Sequence, residues 1–235
     1  MVALTFATYN IHKAVGMDGR RDPDRIIAVL REMNADIIAL QETDRRFGER
    51  ETVLSRASID DTPWKIVPVN RRPRSIGWHG NALLIRREFV VEGVKALDLP
   101  TMEPRGAVAA MISAHGARLC IAGMHLDLSG VRRRVQLKTV IEQVGQFAPY
   151  LPTVLMGDFN QWGGRTGAMR VFGKSDEAWQ LIDCGRTYPS RRPIAKLDRI
   201  VANGSWECAA SAAHHTPLSA TASDHLPAMA KLQLT

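Results

Sequence analysis

Val154-Leu155-Met156-Gly157-Asp158-Phe159-Asn160 is an apolar run that stops at a glycine and is followed at once by a carboxylate and an amide. Such a run reads as a buried strand ending in a tight turn. Asp158 and Asn160 are two apart, so an extended backbone sends both side chains the same way. The pair offers a candidate general base with a neutral hydrogen-bonding group beside it. The plainer alternative is a strand followed by an Asx turn. One short motif decides little; its weight comes from other apolar runs that end in the same manner.

Upstream, Leu4 to Tyr9 is a strand candidate that delivers Asn10, Ile11 and His12. Asp22-Pro23 starts a helix, with Asp at the N-cap and Pro at the first helical position. Ile26, Ile27, Leu30 and Met33 follow at helical spacing, and Asn34-Ala35-Asp36 closes the helix. Ile37 to Leu40 is a buried strand that delivers Gln41-Glu42. Strands are also expected at Trp64 to Val69, Ala82 to Ile85 and Phe89 to Val91, with a basic loop at Arg71 to Arg74 and a turn-rich stretch from Gly77 to Asn81. Ala107 to Ile112 and Arg118 to Met124 read as a hairpin across Ala114-His115-Gly116, and its second strand delivers His125. Val131 to Ala148 is the longest helix candidate, with Leu137, Val140, Ile141, Val144 and Phe147 on one face. Arg132, Arg133 and Arg134 crowd its first turn, where the macrodipole disfavours cations. They form either a solvated face or a clamp for an anion. Downstream, Gly163 to Phe172 reads as loop and short helix, and Ile194 to Val201 carries Asp198 between apolar residues. Ser223-Asp224-His225 precedes a last strand, Pro227 to Leu232.

The 235 residues hold no Ser/Gly tract, Pro-rich run or charged tail that would mark a linker, so one domain spanning 1–235 is expected. No apolar stretch is long enough to cross a bilayer, and the N-terminus lacks a signal-peptide pattern. Three widely spaced cysteines give no disulfide framework and no metal pattern, which fits a cytoplasmic protein. The net charge of +7 leans toward an anionic partner: nucleic acid, a phosphorylated substrate or an anionic lipid headgroup.

Buried strands thus end in carboxylate, amide or imidazole at Asn10, Glu42, His125, Asp158 with Asn160, and near Asp198, with Asp224 and His225 before the last strand. Converging carboxylates repel unless a cation sits among them. Oxygen donors suit a hard ion, Mg²⁺ or Mn²⁺, better than zinc, and such an ion serves phosphoester hydrolysis.

The ordered set Thr8-Tyr9-Asn10-Ile11-His12, Leu40-Gln41-Glu42, His125, Gly157-Asp158-Phe159-Asn160, Leu197-Asp198-Arg199-Ile200 and Ser223-Asp224-His225 resembles the endonuclease/exonuclease/phosphatase superfamily, the deoxyribonuclease I-like metal-dependent hydrolases. The resemblance spans nearly the whole chain. It implies an α/β (α+β) fold: a four-layer sandwich of two packed mixed β-sheets between helices. It further implies Glu42 as principal metal ligand, Asn10 beside it and Asp224 near the metal or its water shell. Asp158 matches the carboxylate that orients or deprotonates water, and Asn160 the amide on a phosphate oxygen. His225 matches the imidazole at the scissile phosphate, Asp198 the carboxylate that holds it, and His125 a second phosphate-facing His. Asn81, Arg105 and Arg132 are candidates for substrate contact. The third residue of the Asn-x-x motif, Asp in the abasic-site endonucleases, is His12 here, which argues against that subgroup.

Three functions are consistent with these residues: a Mg²⁺- or Mn²⁺-dependent phosphodiesterase acting on nucleic acid, a hydrolase of lipid-headgroup, sugar or inositol phosphates, and a non-catalytic phosphate-binding module. The last predicts losses among the motif residues, and Glu42, Asp158, Asn160, Asp198 and His225 are all present.

Overall fold

The computed structural model describes residues 2–45, 48–69, 72–101, 105–163, 166–175 and 177–235. Arg71 of the expected basic loop, and Gly164 and Arg165 of the expected loop and short helix, lie outside them. In chain order the strands are β1 (Val2–Asn10), β2 (Ile37–Gln41), β3 (Trp64–Ile66), β4 (Ala82–Arg86), β5 (Val90–Asp98), β6 (Gly106–Ala114), β7 (Ala117–His125), β8 (Thr153–Asp158), β9 (Trp179–Ile182), β10 (Asp198–Asn203), β11 (Trp206–Ala213) and β12 (Ala228–Leu234). The helices are α1 (Pro23–Met33), α2 (Arg56–Asp60), α3 (Gly130–Phe147) and α4 (Ser219–Ala222), with 3-10 turns at His12–Ala14 and Gly167–Lys174.

Two mixed six-stranded sheets result, ordered β11-β12-β1-β2-β4-β3 and β5-β6-β7-β8-β10-β9. Each is built around one parallel pair, β1/β2 or β7/β8, whose crossover contains α1 or α3. Strands covered on both faces need continuous apolar runs, and side-chain parity sorts them. Leu4, Phe6, Ile37, Ala39, Val154 and Met156 pack between the sheets. Their neighbours Ala7, Tyr9, Ile38 and Leu40 meet α1 residues Ile26 and Leu30, and Leu155 meets Leu137, Val140 and Val144 of α3. Each Leu, Ile, Val, Met or Phe among them contributes about 1.5–3 kcal/mol on burial. The sheets approach so closely that a Cβ on Gly123 would lie 3.0 Å from Leu83 and 3.1 Å from Ala39. The order of layers is therefore α1, first sheet, second sheet, α3, as the family resemblance implied.

Local chemistry sets the helix ends. The Asp22 side chain accepts the Arg25 amide at 3.0 Å, Pro23 opens α1, and Asn34 ends it in the left-handed region at φ 47°. The hairpin β6–β7 turns at His115 (φ 48°) and Gly116 (φ 81°), the paired positive φ of a two-residue hairpin loop. Some expected boundaries move. The stretch Ile194 to Val201 is strand only from Asp198, the strand predicted to Val69 ends at Ile66, and β9 and β11 carry no strong sequence signal. Among the described residues, no helix is long and apolar enough to cross a membrane.

Candidate active site

The register carries the inward-facing rows past the apolar core to polar residues at one edge of the sandwich. In the second sheet, Asp198 pairs with Asp158, Asp158 with His125, and His125 with Gly106, the neighbour of Arg105. In the first sheet, Asn10 pairs with Gln41, the residue before Glu42. Asn10 and Asp158 continue the parity of Phe6 and Met156, so both face the cleft between the sheets. The site is the mouth of the central core, at the carboxyl ends of all four parallel strands, where open α/β sheets place their ligands.

Asp158 is the hub. Its Oδ2 accepts the Asn10 Nδ2 at 3.0 Å across the two sheets, and lies 3.3 Å from His125 Nε2 and 3.8 Å from His225 Nε2. Its Oδ1 accepts the Asn160 backbone N–H at 2.8 Å. A carboxylate only 1% exposed costs several kcal/mol unless donors surround it, and here they do. Asn160 itself is left-handed (φ 49°), so Asp158 and Asn160 form an Asx turn rather than the extended pair with both side chains on one side. The Asn160 Nδ2 donates to Leu126 O at 2.9 Å, which ties the turn to the end of β7.

The two imidazoles are held in opposite states. Asp198 Oδ2 lies 2.8 Å from His225 Nδ1, so that nitrogen carries a proton and Nε2 points toward Asp158. Burial would lower the His225 pKa, but Asp198 and Asp158 outweigh it and raise it to about 10. Burial lowers the His125 pKa to about 4; Asp158 opposes this and Arg105 reinforces it. Arg105 bonds to His125 Nε2, and a guanidinium can only donate, so Nε2 is the acceptor of a neutral ring. Environments that push two titratable groups apart in this way divide acid and base roles between them. The raised His225 pKa has a consequence for stability. Its contribution is fully present below the unfolded value near 6.5 and is lost as pH rises through about 10. In metal-free buffer, Tm should therefore fall between pH 7 and 10, and the fall should shrink in Asp198→Asn. Parallel profiles for the two proteins would contradict it.

Glu42 sits at φ 58°, one of a group of left-handed non-glycine residues here that includes His12 (46°), Lys13 (57°) and Ala14 (58°). Such conformations cost of order 1–3 kcal/mol each and gather where function requires them. They bring Lys13 onto the Glu42 carboxylate. Burial would raise the Glu42 pKa; His125, and then Lys13, outweigh it and hold the carboxyl at about 2. Lys13 was absent from the sequence reading, as was Tyr188, whose ring packs 4.8 Å from that of His225.

The remaining candidates separate. Asp224 is partly exposed, with Oδ1 3.8 Å from His12 Nδ1, and Ser223 Oγ beside it donates to Asn10 O at 2.7 Å. Asn81 is buried; its Nδ2 donates to Trp78 O, His79 O and Gly106 O. That arrangement fixes the chain next to Arg105. Arg132 Nη1 lies 3.8 Å from Asp127 Oδ2 on the first turn of α3, and Arg133 donates to the Asp127 and Leu128 carbonyls.

The tightest cluster of metal-capable side chains among the described residues is Asp158, Asp198 and His225. There the His225 imidazolium already offsets one of the two carboxylate charges. Glu42 differs, since its partner is a long ammonium side chain that remains 26% exposed. A carboxylate whose counter-charge can swing away in this manner suits a hard cation, which prefers oxygen donors.

A family model for the endonuclease/exonuclease/phosphatase family matches residues 7–225. The chain is 30% identical to the uncharacterized protein YbhP of Escherichia coli (strain K12), over 97% of this chain and 95% of that protein. Its fold is similar to an endonuclease/exonuclease/phosphatase from Bacteroides vulgatus, with a TM-score of 0.80 and 17% identity, covering 100% of both chains. It is also similar to the mannosyl-6-phosphatase Bt3783 of Bacteroides thetaiotaomicron, with a TM-score of 0.75 and 17% identity, over 98% of this chain and 100% of that one.

Proposed function

The chain belongs to the endonuclease/exonuclease/phosphatase family, which implies phosphoester hydrolysis, and from that premise we propose a divalent-metal-dependent phosphodiesterase, a single domain whose Asp158 activates the attacking water. The observation that carries this reading is the meeting of Asn10, His125 and His225 on one Asp158 oxygen. Asp158, held by Asn10 and Asn160, accepts a proton from a water as the water oxygen forms the new bond to phosphorus. The leaving oxygen departs on the opposite side with its electron pair and takes a proton from solvent. Arg105 (held in place by neutral His125), the second amide hydrogen of Asn160 and the His225 N–H bear the charge that grows on the phosphoryl oxygens. Asp198 keeps His225 charged and oriented, and Asn81 positions Arg105.

Mg²⁺ or Mn²⁺ would be held by Glu42, with Asn10 and Asp224. When bound, such an ion polarises the phosphoryl oxygen and lowers the pKa of water. With Mg²⁺ or Mn²⁺, the purified protein is expected to hydrolyse bis(p-nitrophenyl) phosphate, to stop in excess EDTA and to recover when metal is restored. Glu42→Gln should need on the order of tenfold more metal for half-maximal rate. Full turnover in EDTA would refute the metal requirement.

The charge of +7 favours nucleic acid as the substrate. A second reading, a hydrolase of lipid-headgroup or sugar phosphates, draws on exposed Leu128, Val131 and Trp162 near the loops that border the site and on the fold shared with a mannosyl-6-phosphatase.

A further inference from the structure

We propose that the groove between α3 and the 3-10 turn Gly167–Lys174 is an anion site that holds the backbone of single-stranded nucleic acid leading away from the catalytic pocket. This deepens the phosphodiesterase reading and rests on it for the strand's being substrate. The groove is a cavity of about 600 Å³, with Arg134 and Lys138 on one wall, Arg170 and Lys174 on the other, and Ile141 and Val171 between. That volume is typical of a ligand site.

Each wall carries its cations four residues apart. They are therefore spaced about 6 Å along α3 and about 8 Å along the 3-10 turn. Among the described residues, one carboxylate, Glu142, lines the groove with them. Among the described residues, none of the four cationic side chains makes a hydrogen bond or an ion pair. Like charges gathered in a concavity repel unless an anion lies among them. The apolar floor suits the faces of bases, and cations flanking it suit the phosphates, the combination that single strands require. A planar membrane would meet cations on a convex face; these line a hollow.

The groove is fixed to the catalytic turn. Gln161, next to Asn160, accepts the Ala168 amide at 3.3 Å and Arg133 Nη2 at 3.4 Å through Oε1, and its carbonyl accepts Arg199 Nη2 at 2.8 Å. One buried residue thus joins β10, α3 and the 3-10 turn. Trp162 follows it in the chain, 62% exposed, an aromatic surface beside the catalytic turn.

The test is fluorescence anisotropy with a labelled single-stranded DNA of about 16 nucleotides, in EDTA, across a range of NaCl. Each phosphate contact on a single strand contributes about 0.7 to the slope of log K against log salt. The double variant Arg170→Ala/Lys174→Ala should lose about 1.4 from that slope, while its turnover of bis(p-nitrophenyl) phosphate with Mn²⁺ stays at the wild-type rate. An unchanged slope overturns the proposal. So does a wild-type protein that ignores the oligonucleotide and binds phosphatidylglycerol vesicles instead. Absence of small-diester turnover in the wild type would overturn the hydrolase reading, and the anisotropy slope would still decide the groove.

Discussion

Asp158→Asn should lower turnover of a phosphodiester by about 10²–10⁴-fold, the usual loss when a positioned general base is removed, while the protein remains folded. The substitution preserves shape, so packing around β8 is kept. It changes what the two atoms can accept. Oδ1 takes the Asn160 amide at 2.8 Å and Oδ2 takes the Asn10 Nδ2 at 3.0 Å. An amide has only one acceptor atom, so its NH₂ must face one of these donors. The resulting mismatch costs about 1–3 kcal/mol, which should appear as a lower Tm with an unchanged circular-dichroism spectrum. The charge also vanishes from between two imidazoles, and the His225 pKa should fall because Asp158 is one of the groups that raise it. Turnover within tenfold of wild type, measured with saturating metal, would remove Asp158 from the role of base.

The ends of the parallel strands were readable because burial on both faces forces continuous apolar runs, and each run stops visibly at a polar residue. Asn10, Glu42, His125 and Asp158 are legible for that reason. Which of them meet was not legible from periodicity. The Asn10–Asp158 bond joins residues in different sheets, and no local pattern specifies how two sheets stack. The family resemblance supplied that step. Lys13 was missed for a different reason. It reaches Glu42 through a left-handed run at His12, Lys13 and Ala14, which non-glycine residues adopt only when tertiary contacts impose it. Strand β11 is rich in alanine, lies at a sheet edge and has a register shift between Cys208 and Ala210. After Trp206 it has none of the β-branched and aromatic side chains that mark strands in a sequence. The arginine run at the start of α3 pointed toward an anion, yet Arg132 pairs with Asp127 and Arg133 with nearby carbonyls. That charge is largely satisfied by the loop it caps.

His225→Ala should cost about 10²–10³-fold in kcat, the scale for loss of one group aimed at developing charge. Asp198→Asn provides the sharper test, because its effect should depend on pH. Asp198 is the largest influence raising His225 above its ordinary value, ahead of Asp158. An amide at this position can still accept the Nδ1 proton, so the ring stays oriented, but the charge that keeps it protonated is gone. The wild-type ring remains an imidazolium until pH approaches about 10, whereas in Asp198→Asn the alkaline limb should move down toward neutrality. The ratio of wild-type to variant turnover should then grow steadily from pH 6 to pH 9. If Asp198 served only to pack the end of β10, the ratio would stay constant with pH, and that result would reject the assignment. Because Asp198 acts through His225, the double variant His225→Ala/Asp198→Asn should be no slower than His225→Ala alone, as expected for residues that work as one unit. Additive losses would mean that Asp198 reaches the phosphate by a route of its own, and its buried Oδ1, which has no hydrogen-bond partner among the described residues, would be the atom to examine.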